Sequence, residues 1–272
     1  MKKYILPLLA TVGIVASFGF TNDEKPKISL CHSEECETED VTKIYLEETR
    51  KKLEMLAKQD PVVMKYYETF AEALTTAYRK ERSITAEEVK QLCTGVEFAA
   101  EKHKLQTRKN PEKTPYISHP IGVTNHLMII GEVRDSSILL GSLLHDTVED
   151  TQTTFEEIEN KFGSQVAGYV RELTDDKSLA KEARKRAQVI HAAHKSPGAA
   201  QIKLADKLYN LNDLLNNAPA DWTQTRIDHY YEWVQSVVDR LPQANDKLLI
   251  AVEDLINSYW EKQEVESKTD SP

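Results

Sequence analysis

The chain has 272 residues, 40% of them hydrophobic and 29% charged, and a net charge of −9 at pH 7. That length suits one globular domain with extensions or two small domains, and the acidic balance excludes a broad nucleic-acid-binding surface. With only 9 glycines and an abundance of Ala, Leu, Glu and Lys, the composition predicts a mostly helical fold.

Met1-Lys2-Lys3 is basic, Tyr4 to Phe18 is apolar, and polar residues follow from Thr21. This is the pattern of a secretory signal peptide, with cleavage expected near Gly19 or Thr21. The apolar run is shorter than the ~20 residues that span a bilayer comfortably. Residues 1–21 are therefore expected to be removed, leaving an exported protein (periplasmic or secreted) with no stable membrane span. Residues 22–40 are polar, acidic and aperiodic, as in a flexible linker. Within them Cys31 and Cys36 are read as a small-loop disulfide or as free thiols. Cys93, further on, falls in a helical pattern as a buried small hydrophobe.

The predicted helices then follow in order. Val41 to Lys58 carries Ile44, Leu46, Leu53 and Leu56. Asp60-Pro61 is an N-cap with proline at the first helical position, opening a helix through Tyr66, Tyr67, Phe70, Leu74 and Tyr78. These two make a helical hairpin in front of the main domain, so residues 22–84 are linker and extension. Thr85-Ala86-Glu87-Glu88 is a capping-box signature that starts the main domain, residues 85–261, with a helix to about His103. After a polar loop at 104–118, His119-Pro120 opens a helix to about Ile130. A central buried helix is expected over Ser136 to Glu149. Thr154 to Phe162 is a short amphipathic helix closed by Gly163, and Gln165 to Leu173 is another. Lys177 to Ala193 is highly charged and ends before Ser196-Pro197-Gly198. Ala199 to Leu215, Thr223 to Leu241 and Asn245 to Trp260 complete an all-α fold, and residues 262–272 read as a polar tail.

The chemistry concentrates at Leu143-Leu144-His145-Asp146-Thr147-Val148-Glu149-Asp150. On one continuous helix His145 stands over Glu149 and Asp146 over Asp150. Four ionisable groups at the end of an apolar helix are costly to bury unpaired. A divalent cation removes that cost, because imidazole and carboxylate are both metal ligands. The remaining ligands must come from elsewhere. His119, at a helix start, and Asp206, inside the apolar run Ile202 to Leu208, are candidates. Two histidines and two aspartates suit manganese, iron or zinc better than calcium or magnesium.

Three segments then carry a resemblance: Pro115-Tyr116-Ile117-Ser118-His119-Pro120, Leu143 to Thr151, and Lys203-Leu204-Ala205-Asp206-Lys207-Leu208-Tyr209-Asn210-Leu211. They are similar to the motifs of the RelA/SpoT-type HD-domain hydrolases, above all to the small stand-alone alarmone hydrolases of metazoan type. The likeness covers roughly residues 88–260 and includes Leu173 to Lys177 and Ser196 to Ala199. It implies an HD-domain helical bundle with no synthetase domain after it. The implied enzyme is a Mn2+-dependent 3′-diphosphatase of guanosine 3′,5′-bis(diphosphate) and its pentaphosphate counterpart, with another divalent transition metal as a substitute. His119, His145, Asp146 and Asp206 correspond to the metal ligands, and Glu149 and Asp150 to the catalytic acidic pair. Arg108, Lys109 and Asn210 correspond to residues near the nucleotide. Lys203, Lys207 and Tyr209 are further candidate substrate contacts, each with an alternative as a surface or core residue. Asn212 departs from the pattern, where relatives usually carry arginine. Two other readings stand beside this one. One is an NADPH or other nucleotide phosphatase of the same fold; the other is a catalytically silent nucleotide-binding module. The partner of the extension, if it has one, is not legible.

Overall fold

The computed structural model describes residues 34–269, with side-chain surroundings for residues 41–265. The signal-peptide reading and Cys31 lie outside those residues, and Cys36 lies in the part of the described backbone without side-chain surroundings, so the Cys31–Cys36 reading falls outside the described side chains. The regular elements among the described residues are helices: α1 (Glu34–Leu56), α2 (Pro61–Arg79), α3 (Ala86–His103), α4 (Ser118–Ile129), α5 (Ser136–Leu144), α6 (Thr147–Asp150), α7 (Phe155–Phe162), α8 (Ser164–Leu173), α9 (Lys181–Ala192), α10 (Pro197–Asn217), α11 (Gln224–Val238) and α12 (Asp246–Thr269). A lone antiparallel bridge joins Thr107 and Pro115. None of these helices is long and apolar enough to cross a membrane.

Local sequence sets most of the boundaries. The Asp60 carboxylate accepts the Val62 and Val63 amides at the start of α2. Thr85 and Glu88 form the reciprocal capping box of α3. Asp135, Thr154, Ser196 and Thr223 cap α5, α7, α10 and α11 by satisfying amides that no helix carbonyl can reach. Gly163, at φ 91°, turns the chain between α7 and α8, a backbone region that other L residues resist.

Three expectations are corrected. Helix α1 reaches back to Glu34, so residues 34–40 are helical rather than linker. Helix α12 runs on to Thr269, taking in most of the expected polar tail: Glu, Lys and Gln propagate a helix well even without an apolar stripe. The expected helix from Ser136 to Glu149 is two helices, α5 and α6, with His145-Asp146 as the turn between them. Asp146 sits at φ −96°, ψ −6°, in the sparsely allowed bridge region where active-site residues recur.

Helices α4, α5 and α10 pack on one another, α8 closes over α5, and α12 lies along α10. The two N-terminal helices do not stand apart as a hairpin. Helix α1 lies along α3 and α2 along α4, more extensively than on each other. Leu53, Val63, Phe70 and Leu74 join one apolar core with Leu92, Leu139, Leu143 and Leu204. Cys93 is buried in that core, and burial pushes its thiol up to about 12, where it is chemically quiet.

The approach of α10 to α4 depends on Gly122. A Cβ there would lie 2.1 Å from Cε2 of Tyr209, whose ring is itself wedged against His119 and Tyr66. Gly122→Ala is therefore expected to destabilise the fold by about 1–3 kcal/mol. Thermal unfolding measures this, and an unchanged midpoint would refute the close approach.

Candidate active site

The turn between α5 and α6, the start of α4 and the middle of α10 converge on one buried point. His119 Nε2 lies 3.2 Å from His145 Nε2, 3.4 Å from Asp206 Oδ1 and 3.4 Å from Asp146 Oδ2. His145 Nε2 lies 3.1 Å from Asp146 Oδ2 and 3.9 Å from Asp206 Oδ1. One donor atom from each of His119, His145 and Asp206 falls within a sphere where all are within 4.8 Å of one another. Asp146 flanks that trio through its contacts to both imidazoles.

The surroundings aim these atoms at a common centre. His145 Nδ1 is 2.7 Å from the Ser142 carbonyl, so it holds the proton and leaves the Nε2 lone pair for the cluster. Tyr116 donates its hydroxyl to Asp146 Oδ2 at 2.6 Å, and Asn210 donates Nδ2–H to Asp206 Oδ1 at 2.6 Å. Thr124 and Ser142 share a buried hydroxyl bond at 2.7 Å that ties α4 to α5 beneath the site. Buried nitrogen and carboxylate oxygen donors, oriented by outer hydrogen bonds, fit a divalent cation. Protons must otherwise do that work. Burial opposes charging His145, yet Asp146 and Asp206 outweigh it and lift the imidazole to about 9. Burial alone would raise the Asp206 carboxyl. Lys207, His119 and Lys203 instead hold it well below the usual carboxylate range.

Tyr116→Phe keeps the ring and removes the donor to Asp146. Loss of such an outer partner typically costs about 10–100-fold in metal affinity or activity. That fall, with folding unchanged, is the expected result of a metal titration; wild-type affinity would remove Tyr116 from the site.

The cluster meets a cleft of about 580 Å³. Tyr116, Asn210, Glu149 and Asp150 lie on its wall, with Arg108, Lys109 and Lys177 also facing it. Tyr116 and Asn210 are the same side chains that bond Asp146 and Asp206, so two residues of the cleft wall are in hydrogen-bond contact with the cluster. Glu149 accepts the Asp175 amide at 2.9 Å and stands 3.3 Å from Lys177 Nζ. Burial raises its carboxyl above the ordinary value, and the nearby Asp175 and Asp146 add to this. Asp150 accepts from Lys177 at 2.6 Å, and its carbonyl takes Gln106 Nε2–H at 2.6 Å. The expected start of a helix at Lys177 fails for this reason: residues 174–180 fold over the acidic pair instead, and α9 begins at Lys181.

The loop before α4 is ordered by Asn110, which bonds both the amide and the hydroxyl of Thr114. It presents Arg108, whose guanidinium bonds Asp213 Oδ2 at 2.6 Å and Asn210 Oδ1 at 3.0 Å above the rings of Tyr116 and Tyr209. A second groove of about 1060 Å³ adjoins the cleft through Lys109, Trp222 and Tyr230 and carries Lys181, Lys185, Arg186 and Arg226.

Three of the candidate substrate contacts lie behind the cleft wall, beside the candidate metal ligands. Lys203 and Lys207 are 6% and 4% exposed, and their ammonium groups lie 4.0 and 3.4 Å from Asp206 Oδ2. They line neither the cleft nor a solvated face, because the Asp206 carboxylate draws both inward. Tyr209 packs its ring edge-on to His119 at 4.9 Å and is likewise not on the cleft wall. Tyr116, Lys177 and Asp213 were missed as site residues. The Tyr116 and Lys177 positions lie within quoted motifs, but nothing in the sequence signals the long-range pair of Asp213 with Arg108. Asn212 lies outside the cleft lining and accepts a bond from Asn216 through its carbonyl.

The sequence profile described as an HD domain matches residues 95–232, which span every proposed metal ligand and both acidic residues. The chain belongs to the HD-domain family. This HD-domain chain is 54% identical over 151 residues to a guanosine-3′,5′-bis(diphosphate) 3′-pyrophosphohydrolase, MESH1, of Xenopus tropicalis, covering 56% of this chain and 84% of that one. It is 51% identical over 168 residues to the Homo sapiens protein of the same name, covering 62% of this chain and 94% of that one. Among solved structures, a metazoan SpoT orthologue described as hydrolysing ppGpp matches with a TM-score of 0.61 and 45% identity, over 62% of this chain and 95% of that one. Helices α1 and α2 precede the residues matched by the HD-domain profile.

Proposed function

We propose that this chain hydrolyses guanosine 3′,5′-bis(diphosphate) and the corresponding pentaphosphate, releasing pyrophosphate from the 3′ position with a divalent transition metal, Mn2+ foremost. One observation carries the reading. The side chains that bond Asp146 and Asp206 also line a nucleotide-sized cleft that carries the Glu149–Asp150 carboxylate pair together with Arg108, Lys109 and Lys177. The half-identical pyrophosphohydrolases supply the substrate class.

His119, His145, Asp146 and Asp206 would hold the ion, and their mixed nitrogen and oxygen set favours Mn2+ over Ca2+ or Mg2+. The chemistry such an ion supplies when bound is Lewis acidity toward a phosphate oxygen and an attacking water. Glu149 takes the proton of that water, and its raised pKa brings it nearer the working pH of a general base. The water oxygen joins the phosphorus as the bond to the ribose 3′ oxygen breaks. The proton taken up by Glu149 is handed on through Asp150 to that departing oxygen, so no net proton is lost, and Lys177, in contact with both carboxylates, holds the pair together. Lys109 and the cations of the adjoining groove offset the remaining phosphate charge on an otherwise acidic protein.

The test is a product assay. The protein is loaded with Mn2+ and offered guanosine tetraphosphate and NADPH separately, with Asp146→Ala as control. Pyrophosphate from the first alone is the expected result. Phosphate from NADPH alone would redirect the function to cofactor turnover, and neither product with metal bound would favour a nucleotide-binding module.

Export belongs to the same proposal and rests on Lys2-Lys3 followed by the apolar run Tyr4 to Phe18. The mature N-terminus is expected at Asn22 or within two or three residues of it. N-terminal sequencing of protein recovered outside the cytoplasm checks this, and an intact Met1 retained inside the cell would overturn it.

A further inference from the structure

The two histidines of the candidate metal centre are held in different ways. His145 Nδ1 faces the Ser142 carbonyl at 2.7 Å. His119 Nδ1 is buried with no hydrogen-bond partner among the described residues. A metal-binding histidine is ordinarily turned toward the ion by a hydrogen bond on its other nitrogen, so the direction of the His119 ring must come from packing. Two tyrosines meet that ring edge-on, Tyr116 at 5.7 Å and Tyr209 at 4.9 Å between centroids.

Tyr116 is fixed by its own bond to Asp146. Tyr209 is fixed by its neighbours. The bare Cα of Gly122 on α4 admits one edge of its ring, and the Arg108 guanidinium lies 5.4 Å from its centroid. A further contact comes from the extension. Tyr66 of α2 sets its ring 5.7 Å from that of Tyr209, tilted by 50°. Burial raises the Tyr209 hydroxyl above its ordinary value, and the neighbouring Tyr66 adds to this. The Tyr66 backbone is pinned in turn, because Asn125 of α4 donates Nδ2–H to its carbonyl at 2.9 Å. Tyr66 is thus tied by its backbone to the helix that carries His119 and by its ring to the helix that carries Asp206. The facing atoms of those two residues are 3.4 Å apart. Neither Tyr66 nor Tyr209 lines the cleft, so neither acts by touching a molecule held there. Helix α2 also precedes the residues matched by the HD-domain profile.

We propose that Tyr66 is a positioning residue of the hydrolytic centre, on the reading of that centre given above: the extension seats Tyr209 against His119 and so keeps His119 Nε2 aimed at the other donors. The extension then belongs to the frame of the active site as well as to the cover of the core.

Three variants of the intact chain test this. Tyr66→Leu keeps apolar bulk and loses the ring, and Tyr66→Phe restores the ring without the hydroxyl. Leu74→Val trims a fully buried residue about two turns further along α2 and serves as the control for loosened docking. The first readout is the His119 ring signals in NMR spectra of the metal-free protein, assigned by their loss in His119→Gln. The second is Mn2+ affinity, and the third is kcat/KM on guanosine tetraphosphate. Tyr66→Leu is expected to shift the His119 signals and to weaken Mn2+ binding about tenfold, with kcat/KM falling at least as far. Tyr66→Phe is expected to restore all three, and Leu74→Val to leave them at wild-type values. Unmoved His119 signals with wild-type Mn2+ affinity in folded Tyr66→Leu overturn the proposal. So do equal losses in Leu74→Val, or no recovery in Tyr66→Phe. Asn125→Ala loosens the same contact from α4 and is expected to move the same signals, so the question is decided even if Tyr66→Leu fails to fold. A wild type that hydrolyses nothing sinks the hydrolase reading, while the metal-free His119 signals still decide the seating of the ring.

Discussion

Asp146→Ala is expected to empty the metal site and to lower turnover on the order of 10³-fold or more. The carboxylate touches both imidazoles and receives the Tyr116 hydroxyl. Removing it takes away one donor and frees the ring that holds it. It also removes the negative charge that most favours the protonated form of His145. The two histidine nitrogens, 3.2 Å apart, then lose a main reason to sit together. Metal content by elemental analysis and turnover are measured side by side, with a thermal melt as the folding control. Full metal occupancy with wild-type turnover would sink the site assignment.

Glu149→Gln is expected to separate binding from chemistry. Glu149 lies on the cleft wall, away from the trio of donors, so the variant keeps its metal while turnover falls about 10²–10⁴-fold. The pH profile carries the sign. Burial raises the Glu149 carboxyl above its ordinary value, so the basic form prevails above that raised pKa and disappears as pH falls through it. The wild-type kcat/KM therefore has an acid limb displaced upward from the ordinary glutamate range, and Glu149→Gln lacks that limb. A variant that retains both rate and limb would remove Glu149 from the reaction.

Local chemistry made the helix starts legible. Asp60-Pro61, Thr85 with Glu88, and Ser196-Pro197 each announce a helix start through side chains that serve amides within three residues. Of the four candidate ligands, the His145-Asp146 pair stands out in the sequence because it ends an apolar run, whereas His119 at a helix start and Asp206 in an apolar helix become candidates only when taken together with that pair. The break at His145-Asp146 was not. No glycine or proline marks it, and its cause is tertiary: Asp146 leaves helical geometry toward His119 and Tyr116, which belong to another part of the chain. Lys203 and Lys207 were ambiguous for the same reason. Four apart on a helix they read as a solvated face, and only the Asp206 carboxylate and the Trp233 ring turn them inward. The Arg108–Asp213 pair spans 105 positions, a distance over which no periodicity speaks.

The docking of α1 and α2 changes what counts as the smallest foldable unit. Phe70 and Leu74 are fully covered, as are Leu92 and Val96 on α3 and Leu127 and Met128 on α4. A cut placed at the capping box of Thr85, ahead of the residues 95–232 that the HD-domain profile matches, would strip that cover and bare a contiguous apolar face to water. The isolated fragment would then be a liability for aggregation rather than a minimal enzyme. Because α1 and α2 share one apolar core with the helices they cover, their unfolding is expected to be coupled to that of those helices.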